Sequence, residues 1–426
     1  MVSIGTPQST EWSGISLSQT EQTQMQLEQI PVEAPVSLPS PFEGSPTTRL
    51  RILHVLSCLG MGGTEHGMFK VIRGLGHTEF EHQICAMRGV DENFVRQMRV
   101  PVRVSAVGSA EPGFQFPLFR LVQLMKEFRP HIVHTRNFGA LEAIAAAWLT
   151  GVPVAIHSEH GYELEILGGL PVRRRLLCGA VYRMADQVFT VTRDLKNYHS
   201  TQSRLSPSKF RVIYNGVDTE IFSPRPEQAS ALRREIGIPA ERIVIGSVGR
   251  LVPIKDYKTL LQAAEILVRQ GKNVHVVLVG SGPEMPKLQA HVAASTDLAG
   301  RVEFVPASNR VADLLNAMDI FVLPSISEGM SNTILEAMAT GLPLVVSRAG
   351  GNPEIVGSVG GLFDPRDVKA LADHLSQLVD SNSLRREYGQ AARRRAVDQF
   401  SLSGMVRTYR DMYVDLACRR GVWKGN

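Results

Sequence analysis

From Arg49 onward the chain alternates between short apolar or β-branched runs that end in glycine or polar residues and longer segments with helical spacing. "LRILHVLSCLG" leads into "TEHGMFKVIRGLG", and the succession continues through "HQICAMR", "VRVSAV", "HIVHTRN", "VPVAIHSEHG", "QVFTVTRD" and "RVIYNGVD". Few folds accept this pattern. Strands that are apolar along their whole length need cover on both faces, and intervening helices supply it, so a parallel sheet wound on both sides is expected. The alternation breaks once, at "DTEIFSPRPEQAS", and a second series follows with "IVIGSVGRL", "VHVVLVGSG", "VEFVP", "DIFVLPS" and "LPLVVSRAGG". The expected fold class is therefore α/β, with two doubly wound Rossmann-like domains facing a central cleft that collects the loops after their strands. We set the N-terminal domain at 48–222 and the C-terminal domain at 223–401. Residues 402–426 hold a last periodic segment, Leu402 to Arg419, expected to be a helix that packs back on the N-terminal domain.

A chain of 426 residues exceeds one ordinary core, which agrees with two domains. Its formal net charge of +5 comes without a lysine- or arginine-rich tract interleaved with aromatics, which argues against nucleic acid as a partner. Mild basicity suits phosphorylated substrates or contact with an anionic membrane face. The four cysteines, Cys58, Cys85, Cys178 and Cys418, form neither a CxxC nor a Cys/His cluster, so no disulfide frame or metal site is expected, and a cytoplasmic setting fits. The N-terminus lacks the succession of a signal peptide, and no apolar stretch reaches the ~18 residues of a membrane span, so any membrane role would be peripheral, at the inner face of the cytoplasmic membrane. Residues 1–47 are rich in Ser, Thr, Gln and Pro, lack Lys and Arg, and read as a disordered leader. "VRRRLL", from Val172 to Leu177, reads equally as a solvated basic helix face or as a contact for acidic lipid head groups.

Three stretches carry candidate chemistry. In "LGMGGTEHG", Gly62 and Gly63 stand between a strand and a helix, where the backbone can approach a ligand and helix N–H groups can face an anion; a tight strand-to-helix turn alone would also explain them. In "GSVGRLVPIKDY", Arg250 and Lys255 lie on a strand-end loop and could clamp a diphosphate, or be two solvated surface cations. In "PSISEGMSNTILEAMATG", Ser331 is the expected N-cap and Gly341 the stop of a helix, with Glu328 in the preceding turn and Glu336 just beyond the first helical turn. A carboxylate accepts from two vicinal hydroxyls at once, so this pair suits holding a ribose and a sugar ring. Backbone N–H groups of Gly329, Met330, Ser331, Asn332 and Thr333 would then face a phosphate. The bland alternative is one acid favourably placed at a helix start and one exposed acid.

These motifs together resemble the retaining glycosyltransferases of the GT-B fold, family 4. The resemblance runs over nearly the whole chain after the leader, through "GMGGTEHG", "VHTRN", "HSEHG", "YNGVDTEIF", "VGRLVPIKD", "LVGSGPE", "EGMSNTILEAMATGLP" and "AGGNPE", and is most similar to sugar transferases of bacterial exopolysaccharide assembly. It implies that Glu336 binds donor ribose hydroxyls, Glu328 binds hydroxyls of the donor sugar, and Arg250 and Lys255 neutralise the diphosphate. It also implies that Gly63 approaches the diphosphate from the other domain and that His160 lies against the reacting sugar. From the residues alone, "HSEHG" is a strand-end loop in which His157 reads as structural and His160 as the functional histidine.

The resemblance further implies a nucleotide diphosphate sugar as co-substrate, no other cofactor, and a glycan or lipid-linked glycan as acceptor. Transfer would retain configuration, by a front-face reaction without a covalent adduct on Glu328. The chain shows no DxD motif on a strand-end loop, so no divalent metal is expected at the diphosphate. A nucleotide-sugar epimerase of similar architecture and a non-catalytic nucleotide-binding scaffold remain alternatives from the residues. A nicotinamide dehydrogenase does not, since no GxGxxG follows an expected strand.

Overall fold

The computed structural model describes residues 49–60, 62–108, 117–162 and 171–424. The expected leader at 1–47 lies outside them.

Among the described residues, thirteen strands form two all-parallel sheets. The first contains β1 (Leu50–Leu56), β2 (Phe80–Ala86), β3 (Arg103–Ala106), β4 (Ile132–Arg136), β5 (Val154–Glu159), β6 (Gln187–Thr190) and β7 (Phe210–Val212), in spatial order β3-β2-β1-β4-β5-β6-β7. The second contains β8 (Ile243–Val248), β9 (Val274–Val279), β10 (Val302–Val305), β11 (Ile320–Leu323), β12 (Leu344–Ser347) and β13 (Gly360–Phe363), in order β10-β9-β8-β11-β12-β13. Both sheets follow the alternation read in the sequence, because central strands such as β9, "VHVVLV", are buried at every position. One detail differs from the expected linker: its "PEQAS" portion starts a helix, Pro226–Glu235, in which Pro226 takes the first turn where no N–H is needed.

Each sheet has one point where the strand order turns back. In the first it lies between β1 and β4, which pair directly with Ile52 opposite Ile132, and in the second between β8 and β11, with Ile320 opposite Ile245. Helices leave these neighbouring strands to opposite faces, so a crevice opens beyond their carboxyl ends.

The two sheets are joined where residues 213–222 and the end of helix Asn382–Phe400 run side by side. Val217 N–H donates to Phe400 O at 2.8 Å, and Leu402 N–H donates to Val217 O at 2.8 Å. Helix Leu402–Arg419 then lies against the first sheet. Its Met405, Tyr409, Met412 and Tyr413 are buried with Leu50, Ile52, Phe80 and Ile132 in one core. This placement has an energetic consequence. Emptying a buried aromatic site typically costs about 3–5 kcal/mol, so Tyr409→Ala should lower stability by about that amount in urea unfolding followed by circular dichroism. A loss below ~1 kcal/mol would mean that the last helix is dispensable to the first domain's core.

Candidate active site

The two turning points gather most of the residues singled out in the sequence. β1 runs into Gly62 and Gly63, β4 ends at Arg136 and Asn137, β8 leads to Arg250 and Lys255, and β11 leads to the segment from Glu328 to Thr333. His160 follows β5, which lies beside β4.

Two helix N-termini meet here from opposite domains. Helix Gly63–Leu75 has Gly62 as N-cap, and helix Asn332–Thr340 has Ser331; neither cap residue accepts a side-chain hydrogen bond from the helix's own N–H groups. Ser331 occupies the expected cap position, but its hydroxyl pairs with Thr333 Oγ1 at 3.0 Å instead. The first-turn N–H groups are thereby left available to a ligand, and the partial positive charges of the two helices add. Asn332 spans the gap between the domains: its Oδ1 accepts from Asn215 Nδ2 at 3.1 Å, and its Nδ2 lies 3.4 Å from where a Cβ on Gly63 would stand. Met330 differs from the other members of its segment, since its side chain is buried in the second domain's core and only its backbone is free to serve a ligand.

Glycine is required at two further close approaches. A Cβ on Gly329 would collide with the carbonyl oxygen of His160, so the segment carrying Glu328 presses directly on the loop carrying His160. Gly350 has φ of +51° and lies against the carbonyl of Glu328, a backbone that other residues rarely adopt. Across the same seam, Glu354 accepts from Tyr214 O–H at 2.5 Å and from Arg193 N–H at 2.7 Å.

Arg250 is exposed beside the gap. Lys255 is not a free cation: its Nζ donates to Glu328 Oε1 at 2.5 Å, with only 16% and 11% of the two side chains exposed. This pair joins the residue expected at the diphosphate to the one expected at the sugar. It also answers why Glu328 lacks a nearby basic partner in sequence, because that partner is 73 residues away. Glu336 lies on helix Asn332–Thr340, in electrostatic reach of Lys70 from the first domain, and forms no ion pair among the described residues. Burial raises its pKa to about 7, opposed only by the charge of Lys70 on helix Gly63–Leu75. Glu65, which sequence reasoning did not select, folds its carboxylate over Gly62. Burial raises its pKa, while its own backbone N–H and the charges of Arg136 and Arg250 oppose the rise.

His160 is neutral near pH 7, its pKa lowered to about 3 by burial first and then by Arg136. The His160 backbone N–H donates to Asn137 Oδ1 at 2.9 Å. His157 is fully buried on the other face of β5, between Thr135 Oγ1 at 2.7 Å and Glu159 Oε1 at 3.0 Å, as its place in the apolar alternation suggested. The "VRRRLL" arginines do not present one surface: Arg173 is exposed, Arg174 lies 3.5 Å over the Phe138 ring, and Arg175 Nε donates to Gln202 O at 3.1 Å. Among the described residues, no helix is long and apolar enough to cross a membrane.

Comparison with known proteins bears on the family and the fold. Residues 228–395 match the family described as Glycosyl transferases group 1, and residues 61–221 match Glycosyltransferase Family 4. The chain is 27% identical over 387 residues to the Escherichia coli UDP-Gal:alpha-D-GlcNAc-diphosphoundecaprenol alpha-1,3-galactosyltransferase, covering 88% of this chain and 99% of that protein. It is 27% identical over 320 residues to the putative glycosyltransferase EpsF of Bacillus subtilis, covering 71% and 80% of the two chains. Among solved structures, Anabaena HepE in complex with UDP superposes with a TM-score of 0.75 at 20% identity, over 85% of this chain and 99% of that one.

Two stability measurements test the electrostatics of the site. For Glu336, a folded pKa of about 7 against the ordinary glutamate value of 4.5 means that the folded state holds the extra proton between those values, so its contribution falls as pH rises from 4.5 to 7 and is flat above. Glu336→Gln removes this penalty, so at pH 8 the ligand-free variant should be more stable than wild type by on the order of 2 kcal/mol, and equal to it near pH 4. Equal stabilities at both pH values would mean that the carboxyl is not desolvated. For the ion pair, a cycle of Lys255→Ala, Glu328→Ala and the double variant should give a coupling above ~1 kcal/mol in urea unfolding, because each single change strands a largely buried charge. Additive effects would mean that the pair is not formed.

Proposed function

The chain belongs to the group 1 glycosyltransferases of the GT-B fold, family 4, and on that premise we propose that it transfers a hexosyl group, with retention and without a metal, from a nucleoside diphosphate sugar to a glycan or lipid-linked glycan. Exopolysaccharide assembly is the setting that the likeness to EpsF and to the Staphylococcus aureus capsular polysaccharide glycosyltransferase CapM supports. The observation that carries this reading is the meeting of two uncapped helix N-termini with Arg250, Lys255 and a desolvated Glu336 at the two turning points. Such a site offers N–H groups and cations to a diphosphate and a carboxylate to vicinal hydroxyls.

Each residue then has a task. Glu336 in its ionised form accepts from both ribose hydroxyls, so donor affinity rises with pH through about 7. Arg250 and Lys255 meet the diphosphate, Lys255 bridging from Glu328, which accepts from the donor sugar's hydroxyls. Gly62, Gly63 and the backbone from Gly329 to Thr333 line the phosphates. His160 faces the sugar from the first domain as a neutral group. As the bond between the anomeric carbon and the phosphate oxygen breaks, the acceptor oxygen attacks from the same face, and its proton passes to the departing diphosphate. Glu328 is held by Lys255 and binds hydroxyls, so it is not the nucleophile; a double displacement would need two carboxylates about 5 Å apart across the scissile bond. Catalysis rests on positioning and on stabilising the leaving group's charge.

The test is transfer from UDP-, GDP- and ADP-hexoses to undecaprenyl-diphosphate-linked sugars in chelator, with the product's anomeric configuration read by NMR. A product that keeps the donor's configuration in chelator, and at least a ~100-fold loss of turnover in Arg250→Ala, are expected. Inversion, a glycosyl adduct on Glu328, a sugar isomerised but still attached to nucleotide, or activity restored only by manganese would each overturn the corresponding part of the reading.

A further inference from the structure

Beneath the cleft, the first domain buries a charged group that the proposed mechanism leaves without a task. Arg136, the last residue of β4, is only 1% exposed, and it forms no ion pair among the described residues. Its nearest neighbours are two histidines and the Tyr413 hydroxyl, with the Glu65 carboxylate within reach of its charge. The guanidinium approaches His54 Nδ1 at 3.2 Å from one nitrogen and His134 Nδ1 at 3.4 Å from the other. A buried cation that meets neutral imidazoles in place of carboxylates is costly, which directs attention to what those imidazoles do.

Arginine donates only, and it keeps its proton. His54 Nδ1 therefore accepts, with that ring's N–H on Nε2, and at His134 the guanidinium 3.4 Å from Nδ1 favours the same tautomer. On one side His54 Nε2–H donates to His82 Nδ1 at 3.0 Å, and the chain ends at His82 Nε2, which has no hydrogen-bond partner among the described residues. On the other side Tyr413 O–H also donates to His134 Nδ1, at 2.7 Å, and His134 Nε2–H donates to Ser158 Oγ at 3.0 Å. The hydroxyl proton of Ser158 then has two acceptors, His160 Nε2 at 2.9 Å and the Thr135 carbonyl at 3.3 Å. The imidazole nitrogen is the nearer and the more basic, and it takes the proton.

We propose that the chain Arg136–His134–Ser158 fixes the tautomer of His160, so that His160 carries its proton on Nδ1 and offers that N–H to the cleft. Arg136 is thus a positioning residue that acts through two side chains. Its consequence for turnover rests on the reading that His160 faces the donor sugar. The burial and Arg136 charge that keep His160 neutral also keep His134 neutral, so the chain stays in its hydrogen-bonded, uncharged state near pH 7. A neutral histidine with a fixed N–H is a hydrogen-bond donor of one direction only, suited to a sugar oxygen and unsuited to receiving the acceptor's proton at that atom.

The test reads the tautomer directly and needs no substrate. In the full-length protein labelled with ¹⁵N-histidine, long-range ¹⁵N–¹H correlation distinguishes Nδ1–H from Nε2–H, and His160 is assigned by the signal lost in His160→Gln. The wild type should show His160 protonated on Nδ1 alone. Ser158→Ala, a small change, should lose that single-tautomer pattern, as should Arg136→Met if it folds, while Arg136→Lys should keep it. An Nε2–H His160 in the wild type, or an unchanged pattern in Ser158→Ala, overturns the proposal. In the transfer assay Ser158→Ala should lower kcat by roughly ten- to a hundredfold with little change in donor KM. A changed tautomer with unchanged kcat supports the chain and instead contradicts the placement of His160 at the donor sugar.

Discussion

In a parallel doubly wound sheet every helix that follows a strand begins at the same edge, and its partial positive charge is delivered there. Two such sheets, set with these edges toward one another, bring the starts of helices Gly63–Leu75 and Asn332–Thr340 together. The rest of the site depends on that meeting. Uncapped N–H groups and like partial charges at close range are unfavourable unless an anion or an acceptor answers them, and here the folded-over carboxylate of Glu65 provides part of the answer. The remainder is left for the diphosphate of the proposed donor.

The acidic residues divide by environment. Glu328 is held by Lys255 at 2.5 Å, whereas Glu336 is desolvated, with its pKa raised to about 7. Two glutamates that look alike in sequence therefore present different chemistry: one a fixed ionic acceptor, the other a group poised between its neutral and ionised forms. Desolvation at Glu336 is a stability cost borne at a functional position, the pattern expected where binding of a polar ligand completes the site.

Much of the architecture could be read from the chain because it depends on local rules. Apolar strands such as β9 and glycine-bounded helices such as Asn332–Thr340 declare themselves by composition and spacing, and a loop after a strand is known to lie at the carboxyl edge. That is why Arg250, Lys255, Glu328 and Glu336 could be grouped before any coordinates. Contacts between distant segments left no such trace. The pairing of Lys255 with Glu328, the bond from Tyr413 to His134 across 279 positions, and the burial of Arg136 at the end of a strand, where an arginine reads as a surface residue, all depend on tertiary packing. The "VRRRLL" run shows the converse: a basic cluster in one dimension is divided among a ring, a carbonyl and solvent in three.

The gap between the two helix starts is the proposed seat for a nucleoside diphosphate, with the ribose held by Glu336. Calorimetric titration of the wild type and Glu336→Ala with UDP, GDP, ADP and inorganic pyrophosphate tests it most directly. One nucleoside diphosphate should bind the wild type, Glu336→Ala should weaken it at least about tenfold, equivalent to ~1.4 kcal/mol, and pyrophosphate should bind both proteins equally. Absence of nucleoside diphosphate binding, or equal affinity in the variant, would contradict it.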